Sequence, residues 1–279
     1  MESEKLGKLV ILLTSPRSLS TISCMLLSNV KNTSIYMDKL VEIVFEYMIV
    51  KYDSEEEKEK GLVAGKEKLD SILNSVENDL KKGKTVFFKD FPLHFDKPFF
   101  FEPLSKLINS YKTYFLYFVR HPIPRLISMK KTIAYETKIG IRNEDDLIKL
   151  LKEERYQTLK DSMAKNKGHC VIVESLQENP IKELQAIMDY LDINEKITED
   201  HLMIGDLYNK ENVFPYKAYY KPEDDAWYLD CLNSKNTMFK TKKVEILEGN
   251  FKEEWEIKMI EKESKIYQLI VEDYSNSNK

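Results

Sequence analysis

The chain has 279 residues, 42% of them hydrophobic, and its 43 basic and 47 acidic residues give a net charge of −4. This length and hydrophobic content are enough for one packed α/β domain, which we take as residues 1–279. Because the charges nearly balance, a positive field over the whole molecule is excluded. We therefore expect neither nucleic acid nor a membrane as a partner, and any positive site must be local.

The cysteines and the N-terminal sequence indicate the compartment. Cys24, Cys170 and Cys231 lie far apart and are odd in number, which favours free thiols in a reducing compartment over a disulfide framework. The start MESEK is too polar for a signal peptide, and no apolar run approaches the roughly 20 residues of a membrane-spanning helix. We expect a soluble, cytoplasmic protein.

Four short runs of nearly continuous apolar residues predict buried strands of a parallel sheet. They cover residues 8–14, 85–89, 113–119 and 170–173. Predicted helices separate and follow them, at 21–30, 65–82, 97–110, 124–132, 144–166, 180–191 and 253–274. The charged segment 54–60 fits a solvated helix start or a loop, and residues 205–250 carry turn and loop signals. The alternation predicts an α/β fold, with a parallel sheet of about five strands and helices on both faces.

The turn after the first predicted strand has the composition of an anion site. Residues 15–21 read SPRSLST and would offer backbone N–H groups at a helix N-terminus, the cation of Arg17, and the hydroxyls of Ser18, Ser20 and Thr21. This set suits one phosphate or sulfate group. The turn lacks the Gly-Lys-Ser/Thr ending of a Walker loop, which argues against an ordinary ATP or GTP hydrolase. The alternative is that it only caps a helix.

A second cation follows the third predicted strand. Arg120 points to the same sheet edge, and Ser128 follows eight residues later in a predicted helix. A guanidinium and a hydroxyl at this separation can hold a second phosphate. Arg125 is the competing candidate, with a solvated or salt-bridged side chain as its alternative. Two anion sites on neighbouring strand ends predict a nucleotide with phosphates at two places.

On these residues the sequence resembles the sulfotransferases that use 3′-phosphoadenosine 5′-phosphosulfate (PAPS). Residues 16–21, PRSLST, resemble the family's loop for the 5′-phosphosulfate, and residues 119–122, VRHP, with Ser128 resemble its 3′-phosphate motif. Residues 174–193 are similar to its third segment. The Lys89-Asp90 pair matches a divergent bacterial-type branch whose loop also reads Pro-Arg-Ser-X-Ser-Thr. The resemblance covers residues 8–205 in order, and residues 206–279 would supply a late loop and a C-terminal helix.

The resemblance implies a P-loop-like sulfotransferase that transfers a sulfuryl group from PAPS to a hydroxyl or amine of a small-molecule acceptor, with no metal required. It places Lys89 beside the transferring group and gives Arg17 a part in stabilising the leaving phosphate. The implied PAPS-binding residues are Arg17, Ser18, Leu19, Ser20, Thr21, Ile22, Arg120 and Ser128. The aromatic segments 32–61, 91–101 and 212–227 would suit an apolar or aromatic alcohol, phenol or amine.

The sequence departs from the family at the general base. Many members have Lys-X-His where this chain has Lys89-Asp90-Phe91. The candidate bases are therefore Asp90, by its place beside Lys89, and then His94. The alternative for Asp90 is a turn or helix-cap residue, and the alternative for His94 is a partly buried histidine among aromatic residues.

Two further departures concern the nucleotide. Leu19 stands where many family loops have Gly, and Ile22 stands where many cytosolic members have a Trp that stacks on adenine. Stacking would then come from Trp227 or from the Met238-Phe239 pair. The alternative for all three is a place in the core.

Two other functions compete with sulfuryl transfer. A P-loop-like small-molecule kinase would need ATP, Mg²⁺ and a Walker-type Lys, which the turn after the first strand lacks. A catalytically silent, nucleotide-binding relative is compatible with the missing Lys-X-His, and Arg17→Ala should then leave its biological activity unchanged. The oligomeric state stays open.

Overall fold

The computed structural model describes residues 6–15, 18, 20–48, 52–90, 92, 97–138, 155–204, 237–239, 251 and 253–277. Its main sheet has five strands, and every pairing between them is parallel. In chain order the strands are β1 Lys8–Thr14, β2 Thr33–Met37, β3 Thr85–Asp90, β4 Lys112–Val119 and β5 His169–Ile172. The spatial order is β2-β3-β1-β4-β5. The predicted parallel sheet of about five strands is confirmed.

The central strand β1 is buried on both faces, as its continuous apolar sequence predicts. Leu9, Ile11 and Leu13 belong to the hydrophobic cluster on one face, and Val10 and Leu12 belong to the cluster on the other. Side chains of a strand alternate between the two faces of its sheet, so an apolar run of this length needs two cores.

Helices cover both of these cores. Those in the described ranges are α1 Ser20–Leu27, α2 Lys39–Ile43, α3 Glu55–Lys81, α4 Pro98–Ser110, α5 Pro122–Lys138, α6 Arg155–Lys165, α7 Val173–Glu178, α8 Pro180–Tyr190 and α9 Glu254–Ser277. The buried residues of α1 and α8 pack on the Val10 face, and those of α3, α4 and α9 pack on the Leu9 face. The predicted helical layers on both faces are therefore confirmed.

Short elements complete the fold. A π-helical turn over Val44–Met48 continues α2, and a 3₁₀ turn over Glu199–Leu202 leads into β6. Strand β6, Met203–Ile204, pairs antiparallel with β7, Thr237–Met238. The rest of the predicted loop region 205–250, apart from residue 239, lies outside the described residues.

Several elements differ from the sequence prediction, among them β2 and α3 in the first half of the chain. Strand β2 was not predicted, because only three of its five residues are buried and its first two are Thr33 and Ser34. Helix α3 begins ten residues before the predicted start at 65. Ser54 caps it by accepting the N–H of Glu57 at 3.2 Å, and three glutamates in the first turn favour the positive end of the helix dipole. The charged segment 54–60 is thus a helix start.

The structure describes two of the three cysteines and lets the helices be examined for a membrane-spanning segment. Cys24 and Cys170 are buried free thiols, and burial raises the pKa of each to about 12. Cys231 lies outside the described residues. In the described ranges we find no helix that combines the length and the apolar character needed to cross a bilayer.

Candidate active site

The predicted anion-binding segments lie at one edge of the sheet. In the parallel register Leu13 of β1 is opposite Asp90 of β3, and Thr14 is opposite Phe118 of β4. The turn after β1, the end of β3 and the turn after β4 therefore follow neighbouring strands at their carboxyl ends. In open parallel sheets this is the edge where ligands bind.

The turn after β1 gathers hydroxyl groups in front of α1. The hydroxyls of Ser15 and Ser18 share a hydrogen bond at 2.7 Å, and both residues are buried. The Thr14 hydroxyl donates to the carbonyl of Ser15 at 2.9 Å. Helix α1 begins at Ser20, and the N–H groups of its first turn, which have no carbonyl partner within the helix, lie next to this turn. This donor set fits an anionic oxygen group.

Four other residues of this segment were predicted to bind PAPS, and the structure describes two of them. Thr21 and Ile22 are half-buried in the first turn of α1, and Ile22 packs against the hydrophobic core. Arg17 and Leu19 lie outside the described residues.

Lys89 is buried at the end of β3 and forms an ion pair with Asp38. Asp38 follows β2, and its N–H donates to the carbonyl of Lys89 at 2.9 Å. Its φ of 54° lies in the left-handed region, which Asp tolerates better than most residues. The sequence analysis did not identify Asp38, because finding it required β2 and the pairing of β2 with β3.

Asp90 lies at the N-terminus of α2. It is fully buried, and its Oδ2 accepts the N–H of Leu40 at 2.9 Å. This contact corresponds to the helix-cap alternative of the sequence analysis. Phe91 and His94, which follow Asp90 in the sequence, lie outside the described residues.

The main chain of the Arg120 turn is held by side chains from other elements. The Tyr156 hydroxyl, on α6, donates to the carbonyl of Arg120. Glu174, on α7, accepts the N–H of His121 on Oε1 at 3.0 Å and the Tyr267 hydroxyl on Oε2 at 3.3 Å. Arg120 is half-buried, as is Ser128 two turns into α5. The turn thus depends on α6, α7 and α9.

Burial controls the protonation of the groups around this turn. It raises the pKa of Glu174, an effect opposed by the N–H groups that the carboxylate accepts. It lowers the pKa of His121, whose Nδ1 accepts the N–H of Ile123 at 3.3 Å. A neutral His121 is therefore favoured beside Arg120.

Arg125 has a structural partner. It is fully buried, forms an ion pair with Glu263 of α9, and lies 5.1 Å from the ring centre of Tyr156. The salt-bridged alternative of the sequence analysis is confirmed, and this ion pair connects α5 with α9.

Phe239 was a candidate for stacking on adenine. It is buried in the hydrophobic core, and its N–H donates to the carbonyl of Leu202 at 2.7 Å. The structure thus supports its alternative as a core residue. Trp227 lies outside the described residues, and so does the side chain of Met238.

No family model matches the chain, and no curated protein matches it. Among solved structures it is similar to the sulfotransferase domain from the Synechococcus PCC 7002 olefin synthase, with 15% identity and a TM-score of 0.48 over 94% of this chain and 96% of that chain. It is also similar to the sulfotransferase domain from the curacin biosynthetic pathway, with 14% identity and a TM-score of 0.47 over 93% and 98% of the two chains. Similarities of this size do not by themselves establish a shared family or activity.

Proposed function

We propose that the protein transfers a sulfuryl group from PAPS to a hydroxyl or amine of a small-molecule acceptor. The observation that carries the proposal is that the two segments predicted to bind anions follow β1 and β4, which are neighbours in the sheet. Neighbouring strands lie about 4.8 Å apart, so two phosphates of one nucleotide can reach both segments. A nucleotide with both a 5′ and a 3′ phosphate group fits this arrangement.

The proposed binding roles follow the chemistry of each segment. The turn after β1 and the start of α1 would hold the 5′-phosphosulfate through main-chain N–H groups, hydroxyls and a guanidinium. Arg120 and Ser128 would hold the 3′-phosphate, for which the planar fork of an arginine is suited. The residues proposed for the 5′ side are Arg17, Ser18, Leu19, Ser20, Thr21 and Ile22.

The proposed reaction is an in-line displacement. The acceptor oxygen or nitrogen forms a bond to sulfur while the bond between sulfur and the bridging phosphate oxygen breaks, which leaves adenosine 3′,5′-bisphosphate. Negative charge grows on the leaving phosphate, so positioned cations lower the barrier. Arg17 and Lys89 are the cations proposed for this role.

The acceptor must also lose a proton to a general base. Asp90 and His94 are the candidates from sequence, and the structure adds Asp38, which is in contact with Lys89. Asp38 follows β2 and Asp90 is the last residue of β3, and both strands lie on the side of β1 away from β4, the strand that leads to Arg120. We therefore place the acceptor on that side.

The class of acceptor is proposed from the aromatic segments of the sequence. The structure describes the aromatic residues at the end of one of them, 91–101. Phe100 is buried in the core and Phe99 packs against it, whereas Phe101 is 52% exposed. Among these three, only Phe101 presents an open aromatic surface. An apolar or aromatic alcohol, phenol or amine remains the proposed class.

A thermal-shift titration tests the donor site. We expect adenosine 3′,5′-bisphosphate to stabilise the protein by about 2.7 kcal/mol at 100 times its dissociation constant, and 5′-AMP, ADP and ATP with Mg²⁺ to have much smaller effects. The response should disappear in Arg120→Ala. It should persist in Lys112→Ala, because Lys112 is an exposed cation at the opposite end of the same strand.

Transfer itself is measured with ³⁵S-labelled PAPS and a panel of phenols, alcohols and amines. Labelled product that depends on Arg17 and Lys89 supports the proposal. A thermal shift with ATP and Mg²⁺ alone would favour the kinase. No response to any nucleotide would contradict the donor assignment, and binding of the bisphosphate without transfer to any acceptor would favour the silent relative.

A further inference from the structure

We infer that Asp90 is a positioning residue: its carboxylate holds the first turn of α2 and, through that turn, holds Asp38 against Lys89. The inference rests on the proposed function, because the reaction that it serves is the transfer proposed above. It replaces a role as proton acceptor, which the position of Asp90 beside Lys89 in the sequence first predicted.

The first step is the contact that Asp90 makes. Its Oδ2 accepts the N–H of Leu40 at 2.9 Å, and both residues are almost completely buried. Leu40 is the second residue of α2, so its N–H has no carbonyl partner within the helix. Water has little access to replace the carboxylate there. The N–H therefore depends on Asp90.

The second step concerns Asp38, the N-cap residue of α2. An N-cap aspartate ordinarily accepts an N–H of the first helical turn with its own side chain. The side chain of Asp38 makes no such capping bond to α2, all of whose residues are described, and instead it pairs with Lys89. Asp90 thus supplies the cap that Asp38 would supply in an ordinary helix, and the Asp38 carboxylate is directed to the ammonium.

The third step is the coupling of the two strands. The N–H of Asp38 donates to the carbonyl of Lys89 at 2.9 Å, and the carbonyl of Asp38 accepts the N–H of Glu42 at 3.1 Å. Asp38 is therefore fixed to β3 on one side and to α2 on the other, in a left-handed conformation. A shift of α2 after loss of the Asp90 contact would move Asp38 relative to Lys89.

Two substitutions of Asp90 separate positioning from proton transfer. Asp90→Asn keeps an oxygen that can accept the Leu40 N–H but cannot serve as a base. We expect it to retain kcat within about tenfold of the wild type, since the Leu40 N–H keeps its acceptor and that hydrogen bond loses only its charge assistance. Asp90→Ala removes the acceptor, and we expect kcat to fall about 100-fold through misplacement of Asp38 and Lys89.

The pH dependence of kcat distinguishes a positioning residue from the proton acceptor. A positioning residue leaves the proton acceptor in place, so Asp90→Ala should keep the shape of the wild-type pH profile at a lower amplitude. If Asp90 is the base, Asp90→Asn should lose at least about 100-fold, as Asp90→Ala does, and the acidic limb of the profile should vanish in both. That result would overturn the inference.

A measurement without turnover keeps the test independent of the proposed function. Hydrogen exchange at residues 38–44 should accelerate in Asp90→Ala, and should stay close to the wild type in Asp90→Asn. Ser54→Ala is the matched control, because it removes the N-cap bond of α3 and should leave kcat unchanged. If the wild type neither binds adenosine 3′,5′-bisphosphate nor transfers sulfate, the proposed function fails. If hydrogen exchange at residues 38–44 is equally fast in the wild type, Asp90→Ala and Asp90→Asn, the positioning role fails.

Discussion

The two halves of the candidate active site are held by different kinds of contact. At the ends of β2 and β3, the charged side chains of Asp38 and Lys89 contact each other, and Asp90 completes a helix cap beside them. At the end of β4, the side chains of Tyr156 and Glu174 contact main-chain atoms of the turn that carries Arg120.

The difference follows from what each half must hold in place. An ion pair fixes the two side chains that form it, so the β2–β3 half fixes the side chains of Asp38 and Lys89 directly. Hydrogen bonds to a turn's main chain fix its backbone, so the β4 half orients Arg120 while its side chain stays half-buried. We infer that the first half is the more sensitive to changes of charge, and the second to loss of single hydroxyl groups.

The largest effect should come from Lys89→Met. It removes the ion-pair partner of Asp38, and both side chains are at most 6% exposed. Removing one member of a buried pair costs about 3–5 kcal/mol of unfolding free energy, because the remaining charge stays buried. Urea denaturation of the two proteins measures this loss, and sulfuryl transfer should be lost as well.

The double variant Lys89→Met with Asp38→Asn shows whether charge is the cause. Asn tolerates the left-handed conformation at position 38, and the pair of neutral side chains leaves no buried charge of this pair. We expect it to recover more than half of the lost free energy. If the double variant is no more stable than Lys89→Met, the loss comes from side-chain packing and not from the buried charge. The β2–β3 half would then not be the half more sensitive to charge.

A smaller effect should follow from Tyr156→Phe in the other half. The Arg120 carbonyl loses its hydroxyl donor, which costs about 1 kcal/mol, and we expect the Kd for adenosine 3′,5′-bisphosphate to rise about fivefold. Isothermal titration measures this change.

Tyr117→Phe is its control. The Tyr117 hydroxyl donates to the carbonyls of Ser162 and Asn166, at 3.1 and 2.7 Å, and does not contact the turn. This variant should lose a similar amount of stability with an unchanged Kd. Equal Kd values for both variants would show that the turn does not need the Tyr156 contact.

The fold was largely predictable because most of its strands are buried on both faces. In β1 six of seven residues are buried, and the resulting apolar run identifies the strand without any knowledge of its neighbours. Strand β2 begins with two half-buried polar residues, so its sequence carries no such signal. Missing β2 also meant missing Asp38, since only the pairing of β2 with β3 brings Asp38 to Lys89.

The candidate site was predictable where it depends on residues that directly follow a strand. Arg120 and the hydroxyls after β1 are of this kind, Lys89 lies at the end of its strand, and the structure places them at one edge. Tyr156 and Tyr267 were not identified, because they reach the Arg120 turn and Glu174 from helices 36 and 93 residues away in the chain. No local pattern records such contacts.

The smallest expected effect is on stability at low pH. It distinguishes the carboxyl edge of the sheet, where the candidate site lies, from the opposite edge. His121 lies beside Arg120, whereas His169 begins β5 at the other edge, with ring centroids 5.2 Å from Tyr190 and 5.6 Å from Tyr274. Burial lowers the pKa of both histidines from 6.5. Each one is therefore harder to protonate in the folded protein than in the unfolded chain.

The sign of the pH dependence follows from this shift. The unfolded chain binds more protons than the folded protein below pH 6.5, so the stability present above that pH is lost as the pH falls through the folded pKa. His169→Phe keeps an aromatic ring between Tyr190 and Tyr274 and cannot be protonated. Melting temperatures at pH 8 and pH 5 should therefore fall by a few degrees less in His169→Phe than in the wild type, with donor binding at pH 8 unchanged. An equal fall in both proteins would show that protonation of His169 does not account for the acid sensitivity, and would leave His121 and the carboxylates of lowered pKa, Asp79, Asp192 and Glu195, as its sources.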